Sequence, residues 1–410
     1  MPLSVYLHIP FCRSRCSYCD FNTYAGLDSL IPDYVDALAG EVRMVGAAMA
    51  GHPRQEDEGM GTSSLEVHTV YFGGGTPSLL PPESVGHILD TLRAALVVRH
   101  DCEITLEANP GTVDLNYLRG LREAGVNRLS LGVQSSQAKE LRLLGRSHSF
   151  AAAINAVEYA RRAGFENLNL DMILGLPGQS VDDASLSLKG VLDLDPHHLS
   201  VYTLALEEGT PLAETVRHGL LPPPDPDQAA DMMEGARDVL AARGYVHYEI
   251  SNWAKAVGTG QNPGNAVEPP FACRHNLQYW RNRPYLGFGA GAHGYAEGQR
   301  YSNVLSPGEY VERMRQPAAN EFPYSPAVRE VSRIDQKTEM GETMIMGLRL
   351  IREGVPRAAF RDRFGVDLES AYGPQLDELE VSGLVERHLE RIRLTQKGWL
   401  LGNQVFQAFV

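Results

Sequence analysis

Cys12, Cys16 and Cys19 lie in Tyr6-Leu7-His8-Ile9-Pro10-Phe11-Cys12-Arg13-Ser14-Arg15-Cys16-Ser17-Tyr18-Cys19. This C-x3-C-x2-C spacing can wrap a cubane iron–sulfur cluster while ligating three of its four irons. The remaining iron is then open to a small-molecule ligand, whereas most such clusters are saturated by four thiolates. A tetrahedral Cys3His zinc site that adds His8 uses the same residues. Against zinc, His8 falls on an alternating strand whose pleat, rather than the cysteine loop, sets its direction. A disulfide is disfavoured by the odd total of five cysteines and by the lack of a charged-then-apolar leader. Spacing alone leaves cluster and zinc both open.

Two further segments carry chemistry. Gly73-Gly74-Gly75-Thr76-Pro77 lets the backbone approach a ligand closely and leaves amides free to point outward. A tight strand-to-helix turn is the plainer reading. No Gly-Lys-Ser/Thr follows, which excludes a P-loop. Cys273-Arg274-His275-Asn276-Leu277-Gln278-Tyr279-Trp280 offers His275 as an axial iron ligand and Tyr279 and Trp280 as faces for a flat ring system. The alternative is a polar loop capped by a buried tryptophan. Gly287-Phe288-Gly289-Ala290-Gly291 lacks the setting of a dinucleotide fingerprint and reads as a close-packed turn. Cys102 reads as a small core residue.

The elements that must position these groups alternate. Residues 4–9, 67–72, 103–107, 128–133, 167–173 and 198–204 read as strands. Amphipathic stretches fall at 30–50, 83–98, 114–124, 150–163, 181–193 and 227–243; in the first, Tyr34, Leu38, Val42, Val45 and Met49 recur at helical spacing. Such alternation implies parallel strands with right-handed crossovers, whose chemistry sits at the carboxyl ends. Cys12, the glycine run, Glu107, Gln134 and Asp171 all fall at that end. Singly, Glu107 and Asp171 are ordinary strand-end carboxylates and Arg146 a surface charge; a shared rim sets them apart. Six units are too few for a closed eight-stranded barrel, so the fold expected is α/β, an open partial (βα)6 barrel.

The barrel is expected to span residues 1–250. A connecting segment, 251–330, bears the His275 motif, and a small helical domain, 331–410, closes the chain. Residues 51–66 read as a polar mobile insertion, 221–227 as an extended proline-rich connector and 256–270 as a surface excursion. Helices near 338–352, 356–364 and 369–383, followed by a hairpin at 384–394, resemble a winged helix. Its acidity argues against DNA, as does the net charge of −14 over 410 residues. No apolar run is long enough to span a membrane. Free cysteines without an export leader point to the cytosol.

The chain resembles the radical S-adenosylmethionine superfamily, in the branch that holds oxygen-independent coproporphyrinogen III oxidases and haem chaperones. The resemblance rests on the cysteine loop, Gly-Gly-Gly-Thr-Pro, Leu131-Gly132-Val133-Gln134, Gly175-Leu176-Pro177-Gly178-Gln179 and Leu394-Thr395-Gln396-Lys397-Gly398. It implies a 4Fe–4S cluster whose open iron is chelated by S-adenosylmethionine, and reductive cleavage of the sulfonium to a 5′-deoxyadenosyl radical. By the same resemblance, Gly74, Gly75 and Thr76 hold the methionine end, Glu107 and Arg146 its ammonium and carboxylate, and Gln134 and Asp171 the ribose. Tyr6, Tyr18 and Ala205 lie near the cluster or the adenosyl group.

Two departures separate the chain from the oxidase pattern. Phe21 replaces a fourth cysteine, and the chain begins shortly before Cys12, without the extension that encloses the oxidase's substrate. His275-Asn276-x-x-Tyr279-Trp280 is similar to the haem-binding signature of the chaperones. The expected function is therefore haem transfer to an acceptor protein, with a homodimer compatible. The alternatives are porphyrinogen oxidation and a zinc-stabilised binding module.

Overall fold

The computed structural model describes residues 2–51, 66–256, 267–317 and 321–410. The polar insertion and the glycine-rich excursion read from the sequence lie largely outside these residues. Six parallel strands carry the site: β1 (Pro2–Ile9), β2 (Glu66–Gly74), β3 (Val98–Ala108), β4 (Arg128–Gln134), β5 (Leu168–Leu174) and β6 (His198–Thr203). Each pairs with the next in parallel, for example Val5 with Val70 and Leu170 with Leu199, with register shifts near Leu3, Val67 and Gln134.

Between them run α1 (Ile31–Gly51), α2 (Pro82–Ala95), α3 (Leu115–Ala124), α4 (Phe150–Arg162) and α5 (Val181–Leu192), and α6 (Pro226–Ala242) follows β6. Starts are set by local chemistry. The Asp114, Ser149 and Ser180 side chains accept amide hydrogen bonds at the N-termini of α3, α4 and α5. In α1 the inner stripe Tyr34, Leu38, Val42 and Val45 is buried, and Met49 is partly buried beside it. The strands alternate between this core and a polar interior. On β4, Leu129, Leu131 and Val133 are fully buried in the core, whereas Arg128, Ser130, Gly132 and Gln134 line the central cavity.

The sheet continues beyond the six strands. β7 (Tyr245–Glu249) and β8 (Asn252–Lys255) add to β6 in antiparallel fashion, β8 next to β6. On the other side β9 (Tyr285–Phe288) pairs parallel with β1, and β10 (His293–Ala296), β11 (Gln299–Asn303) and β12 (Val328–Arg333) follow antiparallel. The twelve strands thus run β12-β11-β10-β9-β1-β2-β3-β4-β5-β6-β8-β7. The two outer strands do not meet, so the expected open α/β partial barrel is what forms. A short helix, α7 (Arg274–Trp280), precedes β9.

The C-terminal part has its own apolar core, centred on Leu348, Phe360, Leu376 and Ile392. It contains α8 (Gln336–Leu348), α9 (Arg357–Phe364), α10 (Leu368–Val381) and a three-stranded sheet built from Val355–Pro356, Val385–Arg387 and Arg391–Leu394. This is the expected helices-then-hairpin order.

Candidate functional site: a shared cavity at the carboxyl ends of the strands

A cavity of about 900 Å³ opens at the carboxyl ends of β1–β6. It is lined by Tyr6, Cys12, Cys16, Tyr18, Cys19, Gly74, Gly75, Thr76, Glu107, Gln134, Arg146, Asp171 and Ala205. His275, Asn276, Tyr279 and Trp280 line it too, so both chemical segments read from the sequence meet in one space.

The cysteine loop is held at both ends. Phe11–Cys12 pairs with Tyr24–Ala25, and the Tyr24 amide donates to the Pro10 carbonyl at 2.7 Å. The Asn22 side-chain amide donates to the carbonyls of Ala290 and Leu305, tying the loop to the segments that follow β9 and β11. All three thiols are free. The Thr76 hydroxyl donates to Cys12 Sγ at 3.5 Å, and Arg146 Nη1 donates to Cys16 Sγ at 3.4 Å while Nη2 holds the Gly132 carbonyl at 2.8 Å. Arg146 is therefore no loose surface charge.

His8 is not a fourth ligand. Its Nε2 lies 2.9 Å from the Asn22 carbonyl and its Nδ1 3.0 Å from the Tyr6 hydroxyl, so both nitrogens are committed. Among the described residues no three metal-ligating side chains close at the spacing a single ion needs. The thiols line a rim rather than a point.

The glycine run is a cradle as well as a turn. Gly74 has φ of 113°, and a Cβ there would meet the His8 ring at 2.6 Å. A Cβ on Gly75 would stand 2.6 Å from the Phe11 carbonyl oxygen. The Gly74 amide donates to Glu107 at 3.3 Å, and the Tyr71 hydroxyl donates to the same carboxylate at 2.8 Å. Burial, with the charge of Asp171 adding to it, pushes the Glu107 carboxyl up to about 7. Asp171 is also raised by burial, against hydrogen bonds from Ser130 and Asn169. Gln134 ends β4 with φ of 68°, and its buried Oε1 has no hydrogen-bond partner among the described residues. Two raised carboxyls and an unpartnered amide oxygen favour a cationic, donor-rich ligand.

Next to this group, beyond Tyr71, His275 is buried at 1% exposure. Its Nδ1 is 2.8 Å from the Thr69 hydroxyl and its Nε2 3.0 Å from the Tyr279 hydroxyl, and burial pushes it down to about 3. It stacks on Tyr71 with ring centroids 5.0 Å apart. In this arrangement His275 is a neutral histidine with both nitrogens engaged, while Tyr279 and Trp280 face the cavity. Cys102 is buried in the core as expected. The expected turn begins one residue later than read: Gly287 lies in β9, where a Cβ would stand 1.8 Å from the His293 carbonyl oxygen, and Gly289 and Gly291, with φ of 98° and 75°, make the close-packed turn that follows.

Sequence reasoning passed over Arg128, Glu249, Asn252 and Arg349, all of which line the cavity. Arg128 was within reach, because it shares the two-residue period of Ser130, Gly132 and Gln134 on β4. It is 2% exposed, with Nε unpartnered among the described residues. Glu249, Asn252 and Arg349 come from separate elements, and no local pattern marks them.

Residues 6–188 match the Radical SAM superfamily, and residues 334–401 match the HemN C-terminal domain. A protein of Bacillus subtilis (strain 168) named Heme chaperone HemW is 36% identical over 409 residues, covering 99% of this chain and 99% of that protein. The chain belongs to the HemW family. The HemW protein of Escherichia coli (strain K12) is 35% identical, covering 100% of this chain and 98% of its own. A solved structure of coproporphyrinogen III oxidase (HemN) from Escherichia coli, a radical SAM enzyme, superimposes with a TM-score of 0.79. It is 23% identical and covers 100% of this chain and 90% of its own, which establishes the shared fold.

For a HemW-family chain, the radical SAM superfamily implies a 4Fe–4S cluster and S-adenosylmethionine. The residues present fit both. Three free thiols share one rim with a hydroxyl and a guanidinium aimed at two of the sulfurs. Beside them lies a glycine cradle that any Cβ would fill.

Proposed function

We propose that this chain is a haem chaperone that carries a 4Fe–4S cluster, binds S-adenosylmethionine and haem, and passes the haem to an acceptor protein. One observation carries the reading: the thiol loop and the Tyr279–Trp280 wall line the same cavity, which lies at the upper end of ordinary ligand-pocket volumes and has room beyond one nucleotide. The family relatives named Heme chaperone HemW support it over their full length.

Within this reading Cys12, Cys16 and Cys19 hold the cluster, and the cluster when bound supplies an electron and an open iron site. Gly74, Gly75 and Thr76 receive the methionine end of S-adenosylmethionine, with Glu107 and Arg146 placed for its ammonium and carboxylate. Gln134 and Asp171 take the ribose, and Tyr6, Tyr18 and Ala205 complete the wall. Haem lies against Asn276, Tyr279 and Trp280. Ligation of its iron by His275 requires Nε2 to exchange the Tyr279 hydroxyl for the metal. The reducing cytosol is the compartment that keeps such thiols available.

Two measurements test this. Titration of the reconstituted protein with haem should give a saturable Soret shift that His275→Ala weakens or alters, and an unchanged spectrum in that variant removes His275 from the iron. Anaerobic incubation with reductant, S-adenosylmethionine and coproporphyrinogen III should yield no vinyl product. Turnover there makes the chain an oxidase and overturns the chaperone reading.

A further inference from the structure

One side chain of the cavity lining arrives from the C-terminal part. Arg349 follows the last residue of α8, and its guanidinium lies 4.5 Å from the Trp280 ring centroid and 5.5 Å from that of Phe406. Face-on stacking of this kind leaves the donor edge of the guanidinium free. Arg349 lines the cavity, yet among the described residues its side chain makes no hydrogen bond or ion pair, and its Nε is buried without a partner.

The neighbouring polar atoms are also unspent. Trp280 Nε1 is buried and unpartnered, as are Glu249 Oε2 and Asn252 Oδ1, on side chains only 1% and 2% exposed. Burial pushes the Glu249 carboxyl up to about 7, against the attraction of Arg349, so near neutrality it is only part-ionised and offsets only part of the guanidinium charge. A half-buried cation whose own Nε and the neighbouring Trp280 Nε1 are idle donors, in a ligand cavity, is an incomplete anion receptor. Of the other arginines that line the cavity, Arg146 serves the cysteine loop and the S-adenosylmethionine end, Arg13 and Arg15 are exposed on the cysteine loop, and Arg128 is enclosed at 2% exposure.

We propose that Arg349, with Trp280 Nε1 beside it, is the carboxylate-recognising subsite of the cavity, so that the C-terminal part supplies a specificity-determining residue to the ligand site. This rests on the haem reading, since haem is a flat macrocycle with two propionate carboxylates at one edge. The flat ring then meets the Tyr279–Trp280 wall, and a propionate meets the guanidinium fork.

The test compares haem with its dimethyl ester, which keeps the ring and removes the charges, on full-length reconstituted protein. Wild type should bind haem more tightly than the ester by about tenfold or more. Arg349→Ala should lose that preference while keeping the ester affinity, its iron content and its binding of S-adenosylmethionine. Arg349→Lys should restore part of it. Equal affinity of wild type for both pigments, an Arg349→Ala preference that persists, or an equal loss for both pigments overturns the subsite alone. Wild type that binds neither pigment overturns the haem reading and the subsite together.

Discussion

Gly75→Ala should uncouple the site from the fold. The added Cβ would stand 2.6 Å from the Phe11 carbonyl oxygen, 3.0 Å from the Ile9 carbonyl oxygen and 3.0 Å from the Pro10 carbonyl carbon. All three are main-chain atoms, so no rotamer change relieves the contact. The backbone must retreat by about 0.8 Å before the closest contact becomes ordinary. What retreats is the entry to the cysteine loop, pinned here by the Gly75 amide on Ile9 and the Thr76 amide on Phe11, both at 2.8 Å. The same movement draws Thr76 away from Cys12 Sγ. We expect a cost of about 1–3 kcal/mol in stability, typical of overpacking, and a loss of about tenfold in S-adenosylmethionine affinity, because positioning at this scale decides binding. Gly86→Ala is the control. Its Cβ would meet only Ala124 Cβ at 3.7 Å within a helix, and it should be neutral or slightly stabilising. Anaerobic reconstitution, iron per chain and calorimetric titration read the outcome. A Gly75→Ala protein that loads iron and binds the nucleotide like wild type refutes the cradle.

Three other outcomes follow from the geometry. Cys16→Ser removes a thiolate and should abolish most cluster absorbance after reconstitution; full iron content would contradict its role. Glu41 is a buried carboxylate that accepts from the Gly289 amide, Asn303, Tyr310 and Ser325. Glu41→Ala strands these donors and should cost about 4 kcal/mol or more, whereas Glu41→Gln, which keeps one acceptor, should cost about 1–3 kcal/mol. Equal denaturation midpoints for the two variants would defeat this account. For Glu249 the folded carboxyl is raised from 4.5 to about 7, so the fold favours its protonated form. That stability is complete below the unfolded value and is lost as pH climbs through the folded one. Glu249→Gln should therefore reduce the loss of stability between about pH 4.5 and pH 8 by about 3 kcal/mol, and a pH dependence parallel to wild type would rule it out.

The strands, helices and rim were legible from local periodicity, because a strand repeats every two residues and a helix every 3.6 whatever it packs against. That was enough to foresee Cys12, Gly74, Glu107, Gln134 and Asp171 at one end of the sheet. It was also enough to mark the His275–Trp280 segment as chemically dense, although not to place it. Where β9 joins the sheet depends on pairing with β1, and that pairing brings α7 over the same opening as the cysteine loop.

The availability of each side chain was a tertiary matter throughout. His8 and His275 both look like free ligands in a linear reading, yet Asn22 with Tyr6 and Thr69 with Tyr279 engage their nitrogens. Arg146 reads as a solvated charge until Cys16 and Gly132 are seen beside it. Arg349 and Trp280 are far apart in the chain, and nothing near either one announces the stack they form. Residue type and period are properties of short windows, whereas hydrogen-bond commitment and burial arise only when distant segments cross, and those crossings decide which groups remain free to bind.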